Sequence, residues 1–185
     1  MLDNALTTQL KTYLEMVREP IVLVPSPYRG DDATKASKSA QMDELLAEIA
    51  ALSDKVSVGD PVDNERTPSF AITSPSSQSD IRFAGLPMGH EFTSLVLALL
   101  QVGGHPVKEE QSLIDAVRAV KGEHHFVTYM SLTCQNCPTV VQALNAMAVL
   151  NPNIHHTAVE GGTHTDEVEA KGIASVPAIY LDGED

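Results

Sequence analysis

The chain has 185 residues, a net charge of −13, 43% hydrophobic residues and only 4% aromatic ones, with no Trp. That length allows one large domain or two small ones, built on a core of Leu, Val, Ile, Ala and Met. The acidity argues against nucleic acid, whose phosphates demand a basic surface, and against anionic membranes. No apolar run approaches the roughly 20 residues of a bilayer span. The N-terminus lacks the basic-then-apolar order of a signal peptide, so a cytoplasmic location is expected.

The first predicted helix covers residues 3–17, with Leu6, Leu10, Leu14 and Val17 on one stripe, and Pro20 ends it. Ile21, Val22, Leu23 and Val24 read as a strand buried on both faces. Residues 25–38 are rich in Pro, Gly and Asp and read as a loop. A helix over 39–52 follows, carried by Met42, Leu45, Leu46, Ile49 and Leu52. Short strands are expected at 55–58, 69–73 and 81–84, with residues 74–80 a turn-rich linker. A helix over 89–102 stops at Gly103-Gly104-His105-Pro106.

Beyond that stop the pattern begins again. A helix is expected over 108–120, with Leu113, Val117 and Val120 facing inward, then a strand over 123–130. After it come Cys134-Gln135-Asn136-Cys137, a helix ended by Asn151-Pro152, a strand over 154–159, a short helix over 166–171 and a strand over 178–181. Pro20 to Ser26 parallels His125 to Ser131, and Thr67 to Ile72 parallels Val176 to Leu181. The repeated order β-α-β, then Pro before another strand, predicts an α/β fold of two fused thioredoxin-like units, with mixed sheets flanked by helices. The expected units are residues 1–104, redox-inactive, and 105–185, redox-active. The second unit ends before its last strand and helix, so the chain is expected to be part of a longer protein.

Cys134 and Cys137 are the only cysteines. A Cys-x-x-Cys between an apolar strand and a helix is the arrangement of a thiol–disulfide redox site. Unpaired N–H groups and the dipole at a helix start favour a thiolate. Cys134 is the expected attacking thiol and Cys137, before Pro138, the resolving one. The alternative is a metal or structural Cys pair. A structural zinc needs four ligands, and the pairs His124-His125 and His155-His156 could each lend only one, because adjacent strand residues face opposite ways. The redox reading predicts no metal at the cysteines. Val176-Pro177 opens the last strand, and Pro177 is the candidate cis-proline beside the Cys pair, where an incoming substrate strand would dock. Glu91, at a helix start, reads on its own as a solvated first-turn acid. Buried, it would instead be a carboxyl of raised pKa able to move protons for the cysteines. The histidines and the acids Glu109, Glu110, Asp166 and Glu167 read as solvated surface. No phosphate-binding loop is present, so no nucleotide site is expected.

The runs Arg82-Phe83-Ala84-Gly85, Gly89-His90-Glu91-Phe92-Thr93-Ser94, Gly103-Gly104-His105-Pro106, Asn136-Cys137-Pro138 and Val176-Pro177-Ala178 resemble the N-terminal domain of the alkyl hydroperoxide reductase flavoprotein, AhpF. The resemblance implies a redox-active second unit carrying Cys134 and Cys137, with Glu91 supplied beside them by the first. It implies electrons drawn from NADH through an FAD-containing flavoprotein body and passed to the disulfide of a peroxiredoxin, the AhpC component of alkyl hydroperoxide reductase. FAD and NADH are expected only in the full-length protein. Gln135 stands where relatives often have His, so no imidazolium charge sits between the cysteines. The runner-up is a general thioredoxin- or glutaredoxin-like protein disulfide reductase.

Overall fold

The computed structural model describes all 185 residues. Helix α1 (Asn4–Leu14) starts on Asp3, whose side chain accepts the Leu6 N–H at 2.8 Å, and buries Leu10 and Leu14. Strand β1 (Ile21–Ser26) follows, then α2 (Ala33–Ala51), β2 (Val56–Val58), β3 (Ser69–Ser74) and β4 (Ser77–Ala84). A 3-10 turn (Gly89–Glu91) leads into α3 (Phe92–Val102). Then come α4 (Gln111–Arg118), β5 (His124–Met130), α5 (Cys137–Leu150), β6 (Ile154–Glu160), α6 (Thr165–Lys171) and β7 (Ala178–Leu181).

Both expected β-α-β units form, but they share one mixed sheet rather than holding separate ones. Its order is β2-β1-β3-β4-β6-β5-β7. In each half the first strand pairs parallel with the second and antiparallel with the third: β1 with β2 and β3, β5 with β6 and β7. The halves meet where β4 and β6 run parallel, from Asp80 beside His155 to Ala84 beside Val159. The main core crosses this seam, holding Phe70, Phe83 and Leu95 of the first half with Met130, Val141 and Ala158 of the second. The Thr67–Pro68 and Val176–Pro177 bonds that precede β3 and β7 are both cis.

Four local expectations change. Helix α2 begins at Ala33, because Asp32 caps it by accepting the Lys35 N–H at 3.0 Å; its first turns are polar and give no apolar period. The linker at 74–80 is mostly strand: β3 and β4 form a hairpin with Ser74 opposite Ser77. On α4 the inner residues are Ile114 and Val117, whereas Leu113 and Val120 are exposed. The histidines are not uniformly solvated either. His156 and His164 are buried, and Glu167 is half-buried, pairing with Arg66 at 2.9 Å and accepting the Tyr129 hydroxyl.

Candidate redox site

The sheet aims β5 at the site. Its buried end, Thr128, Tyr129 and Met130, delivers the chain to residues 131–136 at the rim. Helix α5 starts at Cys137 with Pro138 in its first turn, where a missing N–H costs no intrahelical bond. It buries Cys137, Val141, Leu144 and Ala148 against the sheet. Cys134 and Cys137 are disulfide-bonded, with Cα atoms 5.5 Å apart. The pair is asymmetric: Cys137 is 0% exposed, whereas Cys134 is half-buried and reaches the surface. The Cys137 N–H points at Cys134 Sγ from 3.1 Å. In the reduced state that donor and the helix start would stabilise negative charge on Cys134. Gln135 between them is exposed.

The loop before β7 closes one side. The Val176 carbonyl lies 3.9 Å from Cys134 Sγ, and Val176 packs against both core clusters. Pro177 follows it, half-buried. The equivalent proline of the first half, Pro68, is buried and has no cysteine beside it.

The other side is built by the first half. Gly89 adopts φ +55°, and a Cβ there would lie 2.7 Å from the Leu132 carbonyl oxygen. Glycine therefore lets the 3-10 turn lie directly on the loop that leads to Cys134, where the His90 N–H donates to Leu132 O at 3.0 Å. Glu91 follows and is 0% exposed, so the solvated reading of this residue gives way to the buried one. Its Oε1 accepts the Ser94 hydroxyl at 2.6 Å, and its Oε2 has no partner. Gln142 of α5 donates to Ser94 Oγ at 3.2 Å, joining the Glu91 turn to the cysteine helix. Burial raises the Glu91 pKa, against the lowering effects of the Ser94 hydrogen bond and the nearby His90 charge. Ser94 ends the Gly89-to-Ser94 run noted in the sequence, but Gln142 carries no motif; the i, i+3 spacing of Glu91 and Ser94 hints at their contact.

Because the folded state holds the Glu91 proton more tightly than the unfolded chain, ionising it opposes folding as pH rises through its raised pKa. Glu91→Gln should therefore raise the Tm of the oxidised protein at pH 7–8 by about 2–4 °C, the equivalent of about 1 kcal/mol at this size. The gain should vanish below the ordinary carboxylate range. Thermal unfolding at pH 8 and pH 4 checks this, and an equal effect at both would show that Glu91 ionisation does not couple to folding.

Residues 126–185 match the family described as Thioredoxin domain. The structure superposes on the NTD_N/C domain of alkylhydroperoxide reductase AhpF from Enterococcus faecalis with a TM-score of 0.87, at 27% identity, covering 100% of this chain and 92% of that one. Two thioredoxin-like halves on one sheet, with a disulfide-bonded Cys-x-x-Cys opening a helix in the second, define a thiol–disulfide oxidoreductase domain. Across its whole length the chain is 54% identical to the alkyl hydroperoxide reductase F protein (AhpF) of Pseudomonas putida and 53% identical to that of Escherichia coli, and it is 49% identical to a Bacillus subtilis protein named NADH dehydrogenase. Over its whole length the chain is similar to the N-terminal domain of the AhpF proteins of alkyl hydroperoxide reductase. The chain spans about a third of the length of these curated relatives, 34% of the first. No helix is long and apolar enough to cross a membrane.

Proposed function

We propose that this domain relays electron pairs from an NADH- and FAD-dependent flavoprotein body, part of a longer chain, to the disulfide of a peroxiredoxin, the AhpC component of alkyl hydroperoxide reductase, in the cytoplasm. The observation that carries the reading is the asymmetric pair, a half-buried Cys134 beside the Val176 carbonyl with Cys137 wholly buried behind it. Residues 105–185 act as the redox-active unit. Residues 1–104 act as the redox-inactive one, supplying Glu91 and one wall of the cleft.

In the reduced domain the Cys134 thiolate attacks one sulfur of the partner disulfide. That S–S bond breaks, its other sulfur leaves as a thiolate, and a mixed disulfide forms. Cys137 then gives up its proton and attacks Cys134 Sγ, releasing the second partner thiol and closing the Cys134–Cys137 disulfide. Two electrons pass to the partner, whose two sulfurs take up two protons. Glu91 is the proton acceptor for Cys137, a buried carboxyl whose pKa burial raises, making it a better base than an exposed one. Val176 and Pro177 dock the partner strand through backbone groups. FAD and NADH bind the flavoprotein body; none of this chain's residues is assigned to them.

The reduced domain should reduce a peroxiredoxin disulfide at least about tenfold faster than a generic protein disulfide such as that of insulin, a difference of about 1.4 kcal/mol in activation free energy. Stopped-flow rates with the two substrates decide this. Equal rates would overturn the relay and leave a general thioredoxin-like reductase.

A further inference from the structure

A second cluster of chemically capable side chains lies at the far end of β5 from the cysteines. His125 on β5 and His155 on β6 are direct cross-strand partners in parallel register. Their side chains therefore leave the same face of the sheet, and the rings stack with centroids 4.4 Å apart and planes 12° apart. On the other flank of His155, its register partner on β4 is Asp80, whose carboxylate lies 2.7 Å from His155 Nδ1. Glu123, one residue before β5, places Oε2 2.5 Å from His155 Nε2. One ligand atom each from Glu123, His125 and His155 falls within 4.8 Å of the others. The cluster borders an open cleft, with Arg82 on the same face. Asp182 is held at its edge by the His125 N–H at 2.9 Å.

We propose that Glu123, His125 and His155 form a binding site for one divalent transition-metal ion of the zinc class, with Asp80 as the positioning residue for His155. Two imidazoles and a carboxylate suit Zn²⁺, Ni²⁺ or Cu²⁺, whereas Ca²⁺ and Mg²⁺ call for oxygen ligands throughout. A carboxylate on the non-ligating nitrogen of a metal-binding histidine is the usual outer-shell arrangement. Here Asp80 fixes the imidazole so that Nε2 faces Glu123. With metal–ligand bonds of about 2.0–2.1 Å, the donor atoms must settle about 3.3 Å from one another, so Glu123 Oε2 must draw back from its 2.5 Å contact with His155 Nε2 to admit the ion. Glu123 can supply that movement, since its side chain is 62% exposed, and the ladder already holds the histidines side by side.

The cysteines take no part. From His125 to Met130 the strand rises roughly 16 Å, and Cys134 lies beyond it. A bound ion would join β5 to β6 and, through Asp80, brace the β4–β6 seam between the two halves. Its expected effect is on stability, independent of the relay proposed above.

The test uses the oxidised, chelator-treated protein, titrated with ZnCl₂ by calorimetry and with CoCl₂ by visible spectroscopy. One saturable site is expected, with a cobalt spectrum free of thiolate charge-transfer bands and a higher Tm in the presence of Zn²⁺. Glu123→Gln and His125→Gln should each weaken binding at least tenfold, with circular dichroism of the metal-free variants confirming that both fold. Asp80→Asn should weaken it less, and His105→Gln not at all. The Cys134→Ser/Cys137→Ser double variant should bind as tightly as wild type. Unaltered affinity in His125→Gln, loss of binding in the cysteine double variant, or absence of a saturable site would overturn the proposal.

Discussion

Replacing Cys137 by Ser should trap the domain on its partner, and replacing Cys134 by Ser should abolish exchange altogether. The reason is the difference in exposure: Cys137 is 0% exposed behind a Cys134 that reaches the surface. Only Cys134 can meet an incoming disulfide. Its thiolate would also be the one favoured, because the Cys137 N–H lies 3.1 Å from its sulfur at the first turn of α5. Cys137→Ser keeps that attack but cannot resolve the mixed disulfide, so a covalent domain–peroxiredoxin adduct should accumulate on a non-reducing gel at one partner per domain. In Cys134→Ser the attacking thiol is gone. Loss of a nucleophile costs on the order of 10⁶-fold where chemistry passes wholly through it, so neither turnover nor adduct should be detected. The reverse pattern, an adduct with Cys134→Ser and none with Cys137→Ser, would exchange the two roles.

The second large effect concerns acid. His156 is enclosed between sheet and helix, with its ring nitrogens 2.9 Å from Thr128 Oγ1 and 2.7 Å from Asn145 Oδ1. A neutral imidazole satisfies both contacts, one nitrogen donating and the other accepting. Burial holds its pKa down at about 3, against 6.5 when free. Below pH 6.5 the unfolded chain takes up a proton that the folded state refuses. The stability present above that pH is therefore lost progressively as pH falls towards about 3. At about 1.4 kcal/mol for each pH unit, the loss approaches roughly 4–5 kcal/mol, a large share of the roughly 5–15 kcal/mol typical of a folded domain. Urea unfolding of the oxidised protein at pH 7, 5 and 4 measures the slope. His156→Gln, which keeps a donor and an acceptor at the site, should be less stable at pH 7 but lose less on acidification. Parallel curves for the two proteins would show that His156 does not drive the acid response.

The legible parts of the site are the local ones. An apolar strand, Cys134 and Cys137, then Pro138 and an apolar helix lie within about 25 consecutive residues, and their order alone reveals a redox helix start. The prolines at 68 and 177 are equally visible, each directly ahead of an apolar strand. Burial is harder to read, since it depends on partners far along the chain. His155 and His156 are adjacent and chemically identical, yet one lines an open cleft and the other is enclosed, because successive strand residues face opposite sides of the sheet. On α4, the stripe through Leu113, Val117 and Val120 satisfies helical spacing, but docking selects the neighbouring line through Ile114 and Val117.

By itself, the sequence determined the number and kind of elements, the doubled β-α-β order, and the two cysteines with a helix opening at the second. Short-range forces set all of these: apolar periodicity, proline and glycine stops, and the chemistry of a helix N-terminus. Only the tertiary structure decided that the two halves share one sheet through β4 and β6, that Glu91 is buried in a turn lying on the loop that leads to Cys134, and that Glu123, His125, His155 and Asp80 converge on one face. Each of these rests on strand register and packing between segments tens of residues apart. No local window records that information, because it is fixed only when apolar faces on distant elements are buried together.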